Sequence, residues 1–299
     1  MEQRRLGRTG HHSTVAVLGG AACAAASVEE AGEWLRLALA HGVNHLDIAP
    51  QYGVAESVVG PHLAAHRDEL FIAGKTLRAN PDGVTAQFDA TRRLLHADVL
   101  DLYQAHAVTS LAELDRRSPA LERIVALRDA GHTRFAGITG HDMEVPLAHL
   151  EALRRFDLDT VMFPVYPALW LRPEYREPAE ELLAVCAERD LGVMVIKAAA
   201  RRPWADGRPM ADAFAGSPAT ADRWADAWYE PQATEEELDR GIHFALSTPG
   251  VHAFCTPGDI ALLPRVLASA ERYAEPSAAE RQAAVDAMAA EDLIFPMPR

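Results

Sequence analysis

The feature that most constrains this chain is an alternation repeated along its length. Short apolar, β-branched runs are each followed by a longer stretch rich in Ala, Leu and Glu. The short runs are Val15–Leu18, His45–Ile48, Leu70–Gly74, Asp101–Ala105, Phe135–Ile138, Thr160–Val165, Val193–Ile196 and Val251–Cys255. They are continuously apolar rather than alternating, so both faces of each strand are expected to be buried, as in a parallel sheet covered by helices. The intervening stretches predict helices over Glu29–Ala40, Glu56–Ala65, Asp82–Leu95, Ala120–Ala130, Val145–Arg155, Glu177–Arg189, Glu235–Ser247 and Leu262–Tyr273. An extra C-terminal helix is expected over Ala278–Ala290. Ser27 fits the N-cap of the first helix, and Gly42 its C-terminal stop. Gly131, Gly192 and Gly250 each fall between a helix and the next strand, where a left-handed residue ends a helix at little cost.

Eight strand–helix pairs without a long linker predict one (β/α)8 barrel domain over residues 1–299, an α/β fold with an N-terminal β-hairpin. The competing open sheet would carry a GxGxxG turn after its first strand, and Gly19-Gly20-Ala21-Ala22 is not one. Barrels of 299 residues are ordinary as one domain, and 49% hydrophobic residues can fill a sizeable core. In such a fold the irregular stretch from Ala198 to Thr234 overhangs the C-terminal mouth, where active sites lie. A substrate-covering role is expected of it.

A net charge of −14 excludes a general nucleic-acid binder and docking on an anionic membrane. It leaves room for a phosphorylated cofactor held by local cations and helix N-termini. Cys23, Cys186 and Cys255 form no CxxC pair and no even framework, which fits a reducing cytoplasm. Arg4, Arg5 and Arg8 before the mild apolar run Val15–Ala26 faintly imitate a secretory leader. The interrupting Gly7, Thr9, Gly10, His11 and His12 read better as a hairpin followed by a buried strand. No stretch approaches the roughly 20 apolar residues of a membrane span. His62 and His66 have the i, i+4 spacing of a metal pair, but no Glu follows His62 as in HExxH, so no metal is expected.

Four ionisable residues fall at neighbouring strand ends. The second run delivers Asp47, with Tyr52 in the loop beyond; the third ends at Lys75 and the fourth at His106. Reduction of a carbonyl needs a hydride from a cofactor, since no side chain can supply one, and a proton from a general acid. A tyrosine beside an ammonium is eased toward giving up its proton. Asp47 can anchor Lys75, and His106 can orient a carbonyl oxygen. Each residue alone also fits a plainer role: an ion pair in the barrel mouth, a loop aromatic, a buried histidine.

Gly42-Val43-Asn44-His45-Leu46-Asp47-Ile48-Ala49-Pro50-Gln51-Tyr52-Gly53, with Glu56 and Gly60 beyond, resembles the signature of the aldo-keto reductases. So do Phe71-Ile72-Ala73-Gly74-Lys75-Thr76, Leu102-Tyr103-Gln104-Ala105-His106 and the N-terminal Leu6-Gly7-Arg8-Thr9-Gly10. The resemblance implies a catalytic tetrad of Asp47, Tyr52, Lys75 and His106. It implies NADP(H), with NAD(H) the alternative, bound across the barrel mouth, and a small aldehyde or ketone as substrate. Cofactor contacts are expected from Thr139, Gly140 and His141 after the fifth strand, where the family has Ser-Asn. Tyr166 is expected to take the place of the family's Gln, and Lys197 to reach the phosphates or ribose. Thr256 and Gly258 are expected in a phosphate-binding turn at a helix start. A cation and Asn for the ribose 2′-phosphate are not evident: Arg265 is near, and Asp259 is acidic. A monomer is expected by the same resemblance. Two other readings stand beside this one: a nicotinamide-binding sensor or partner subunit, and a redox-neutral lyase or isomerase built on Tyr52 and Lys75.

Overall fold

The computed structural model describes residues 1–205 and 227–295. Residues 206–226, which include Gly207, Pro209, Gly216, Pro218 and Trp224 of the expected covering loop, lie outside the described residues.

The eight apolar runs form a closed parallel ring. Its strands are β3 (Ala16–Gly19), β4 (His45–Asp47), β5 (Phe71–Thr76), β6 (Leu100–Ala105), β7 (Thr133–Thr139), β8 (Thr160–Pro164), β9 (Gly192–Ile196) and β12 (Ala253–Cys255). Each pairs with its neighbour in sequence order, and the ring closes where Phe254 of β12 pairs with Ala16 of β3. Strands buried on both sides need no polar alternation, which is why these runs are apolar throughout. Inside the ring Leu6, Val17, Phe71, Ala73, Leu102, Met162, Met194 and Ala253 make a small inner core. A much larger apolar layer separates the strands from the surrounding helices.

The N-terminal segment is the expected hairpin, β1 (Gln3–Arg5) against β2 (His12–Thr14). Its turn plugs the ring from below. Gly7 has φ +49°, and an added Cβ would lie 2.3 Å from the Leu191 carbonyl carbon. The turn is therefore seated directly on the backbone that starts β9, and Leu6 is fully buried above it.

Helix starts follow capping chemistry. Ser27 and Thr234 each accept an N–H bond from the third residue of their helix while that residue's glutamate reaches back, closing a capping box. The fourth barrel helix begins at Leu111, capped by Ser110, and runs through Pro119 to Asp129. The expectation of a start at Ala120 took that proline for a boundary. A second hairpin was not expected: β10 (Ala200–Arg202) pairs antiparallel with β11 (Glu230–Pro231) beside the mouth. Arginines and a proline disguise it in the sequence. No helix among the described residues is long and apolar enough to cross a membrane.

Candidate active site

The parallel ring delivers side chains to one rim. Asp47 is the last residue of β4, Lys75 lies near the end of β5, and His106 follows the last residue of β6. Tyr52 sits in the turn after β4. There its own N–H reaches the Ala49 carbonyl, and Gly53 adopts φ +49° against the Ala24 carbonyl. An added Cβ on Gly53 would lie 2.1 Å from that oxygen, so the turn presenting Tyr52 is built around a missing side chain.

The four side chains meet. The Lys75 ammonium donates to Asp47 Oδ1 and, at 3.2 Å, to Tyr52 Oη. Gln104 Nε2 donates to the other Asp47 oxygen at 3.0 Å. The Tyr52 and His106 rings stand edge to face with centroids 5.7 Å apart. Asp47 and Lys75 are almost wholly buried, and Tyr52 is half-buried with its phenol toward a cavity. That cavity, about 230 Å³, is lined by these residues together with Gly19, Thr139, His141, Lys197, Trp228 and Gly258, among others.

Burial and charge compete in each group. Burial is the largest single effect and opposes the Lys75 ammonium, but Asp47, Tyr52 and Cys255 together outweigh it and raise the lysine pKa above its usual range. Burial pushes the Tyr52 phenol up to about 12, and Lys75 only partly offsets that. The expected easing of the phenol by the ammonium is present, but it is the smaller effect. His106 is held well below its ordinary value by burial and by Lys75, and His141 falls to about 4 for the same kinds of reason with Lys197 added. At neutral pH the cavity therefore holds a protonated phenol, the Lys75 ammonium bound to a carboxylate, two uncharged imidazoles, and Lys197, whose pKa burial lowers to about 7.

Thr139, His141, Lys197, Thr256 and Gly258 all line the cavity. Two expectations fail. Tyr166 is fully buried away from the cavity, in the outer core, where its hydroxyl accepts from the Ile294 N–H at 3.3 Å. Gly140 donates its N–H to the Met162 carbonyl, and its α-carbon is crowded by the Val108 carbonyl and the side chains of Val145 and His149. It shapes the strand end and does not line the cavity. The turn after β12 also differs from a bare anion site: Asp259 places its own carboxylate on the Ala261 N–H at 2.8 Å. Arg265 reaches the Ala233 carbonyl. His62 and His66 take separate partners, the Val28 carbonyl and Glu69.

Several site residues went unread in the sequence. Gln104 stands two residues before His106 on one strand, so strand alternation puts both on the inward face. That was the available signal. Gln51 meets His106 Nδ1 at 3.1 Å. Arg117, wholly buried on the fourth barrel helix, donates to the His106 and Thr76 carbonyls at 3.1 and 2.7 Å and so ties together the ends of β5 and β6. Trp228 and Tyr229 belong to the stretch expected over the mouth and do line the cavity, but the pairing of β10 with β11 that delivers them was not announced by any local pattern.

The sequence matches the model of the aldo/keto reductase family over residues 16–223. Among curated proteins, aldo-keto reductase YhdN of Bacillus subtilis is 28% identical over 126 residues, 38% of this chain and 37% of that protein. Methylglyoxal reductase YeaE of Escherichia coli is 33% identical over 112 residues, 36% of this chain and 38% of that protein. These matches span well under half of the relatives' length. Among solved structures, the holo form of an aldo-keto reductase from Bacillus halodurans superposes with a TM-score of 0.72 at 21% identity, covering 98% of each chain. At that identity the shared property is the fold.

Proposed function

The chain belongs to the aldo-keto reductase family, and from that premise we propose that it reduces a small aldehyde or ketone with a nicotinamide cofactor, Tyr52 giving the proton. The observation that carries this reading is the Lys75 ammonium held between the Asp47 carboxylate and the Tyr52 phenol oxygen at the edge of a cavity. An ammonium fixed there stabilises the phenolate that forms when the proton leaves. Asp47 and Gln104 keep that ammonium from turning away. His106, uncharged, has one ring N–H; it can go to the carbonyl oxygen from Nε2 when Gln51 turns its amide NH2 rather than Oε1 toward Nδ1.

The lining suits a nicotinamide cofactor. Gly258 leaves a narrow slot beside Ala21, since an added Cβ would lie 3.2 Å from the Ala21 Cβ. Thr139 and His141 would meet the amide end, and Thr256, Gly258 and Lys197 the phosphate side. When bound, the reduced cofactor supplies the hydride. The cavity is smaller than a typical site for a whole ligand, so it fits the reacting ends of two guests, with the rest of a dinucleotide along the rim. NADP(H) is the first expectation by family, and NAD(H) the alternative that the acidic Asp259 after β12 favours.

The test has two arms. Quenching of tryptophan fluorescence on titration with NADPH or NADH reports binding, and loss of reduced cofactor with a panel of aldehydes reports turnover. Tyr52→Phe is expected to lower turnover at least about 100-fold, the lower range for general acid catalysis, while leaving nucleotide binding nearly unchanged. Full turnover by that variant removes Tyr52 from the chemistry. Failure of both nucleotides to bind overturns the reading altogether.

A further inference from the structure

Of the 29 Lys and Arg residues in this chain, only Lys75 and Lys197 are lysines. Both line the same cavity. Every other cationic position, exposed or buried, is arginine. Arg4, Arg8 and Arg128 hold carboxylates or carbonyls, and Arg117 is buried among carbonyls. Outside the cavity, where a fixed charge or a bidentate grip serves, this sequence uses guanidinium.

The two lysines have opposite surroundings. Lys75 is locked to Asp47 and Tyr52 and stays charged. The Lys197 ammonium has no carboxylate partner among the described residues. It lies instead over two aromatic rings, 4.3 Å from the Trp228 centroid and 5.2 Å from that of Tyr229. Its backbone is left-handed, with φ 73°, a conformation a side-chain-bearing residue adopts only when its surroundings impose it. Burial lowers its pKa to about 7, with Cys255 a weaker opposing influence. At neutral pH a large share of it is therefore the free amine.

We propose that Lys197 is a nucleophilic amine that captures aldehydes entering the cavity as an imine. The inference rests on the reading above only in taking the guest to be a carbonyl compound. A role confined to holding a phosphate or carboxylate would favour arginine, the better anion ligand, which this chain uses everywhere else. A desolvated lysine in an aromatic pocket offers what arginine cannot, an uncharged nitrogen lone pair at neutral pH. The Nζ lone pair attacks the carbonyl carbon and the C–N bond forms, giving a carbinolamine. Its oxygen then leaves as water with the two amine protons, and the C=N bond closes. No atom changes oxidation state overall, so the step needs no nucleotide.

The composition makes the test clean, because the chain offers three amines: Lys75, Lys197 and the terminal amine of Met1. The full-length protein is incubated with butanal without nucleotide, reduced with sodium cyanoborohydride, digested and mapped by mass spectrometry. The expected result is a butyl adduct on Lys197 that forms faster as pH rises through about 7. Lys75 in the same sample stays unmodified. Lys197→Arg, with its fold checked by circular dichroism, is expected to lose that adduct. Should the variant not fold, the ratio of the three sites in the wild type still decides. An adduct confined to the terminal amine, or equal on Lys75 and Lys197, overturns the proposal. Nucleotide oxidation is measured without cyanoborohydride, so failure of reduction and failure of capture are seen separately.

Discussion

Tyr52 shows how far a single charge can act against desolvation. The ammonium 3.2 Å away pulls the phenol pKa down, and burial still carries it up to about 12. The acid form is the one that donates, so donation is intact below that value and is lost only as pH rises through it. A plot of kcat/KM for aldehyde reduction against pH is therefore expected to show no fall assignable to Tyr52 below about pH 10. A steep decline centred near 8 would mean that the phenol is far more acidic than its surroundings imply. Asp47, Lys75, Tyr52 and His106 were legible because each closes or follows an apolar run, and a parallel ring aims all such ends at one rim. Tyr166 was misplaced for a reason equally physical. Met162 faces the cavity and residues two apart on a strand share a face, but β8 stops at Pro164 and the chain turns into the short helix Pro167–Trp170. The alternation is lost just before Tyr166. Trp228 and Tyr229 were illegible because their placement depends on pairing across more than 25 residues, between Ala200–Arg202 and Glu230–Pro231.

Between elements, two further residues of the signature do the work of packing. Glu56 is buried on the helix Ala55–Leu63 and accepts from the Thr91 hydroxyl at 2.8 Å, joining it to the helix Pro81–Leu94. Gly60 lets the same two helices touch: an added Cβ would lie 1.8 Å from the Leu94 carbonyl oxygen. Gly60→Ala is expected to cost about 3 kcal/mol, the upper part of the range for overpacking, because the obstacle is backbone. Gly131 gives the contrast. It has φ +78° with nothing within 4 Å of its absent Cβ, so Gly131→Ala costs only the left-handed backbone, about 1 kcal/mol. Urea midpoints of the two variants test the ordering, and a Gly60→Ala protein as stable as the wild type would show that the helices can part freely. The helices after Ser27 and Thr234 were legible from those caps, but the one capped by Ser110 was not. Pro119 hid the first turns of the fourth barrel helix, since from sequence alone a proline marks a helix start as readily as an interior.

For the whole molecule, the floor of the ring sets the response to acid. His45 is fully buried with Nδ1 against Ser13, and His11 stacks on Phe71 at 4.5 Å. Burial holds His11 down at about 4 and His45 well below its ordinary value. Unfolded imidazoles take up protons near pH 6.5, while these refuse them, so stability is whole above that pH and falls as pH drops toward 4. His11, part of whose ring meets solvent, accounts for about 1 kcal/mol of this between pH 6.5 and 5 once screening is allowed for. Urea unfolding across that interval should show the slope, and His11→Phe, which keeps a ring against Phe71, should lessen it, with buried His45, His106, His141 and His149 supplying the rest. A wild-type profile without slope would remove the histidines from the account. The closure of the ring through Phe254 and Ala16 has a consequence for how this protein comes into being. The seam joins a strand near the start of the chain to one near its end, so during synthesis the first strand waits with a bare edge while more than two hundred residues are added. Until Ala253–Cys255 has cleared the ribosome there is no inside and no rim. A translation product cut short of that point would hold all of Asp47, Tyr52, Lys75, His106 and Lys197 and still have no pocket for them to share.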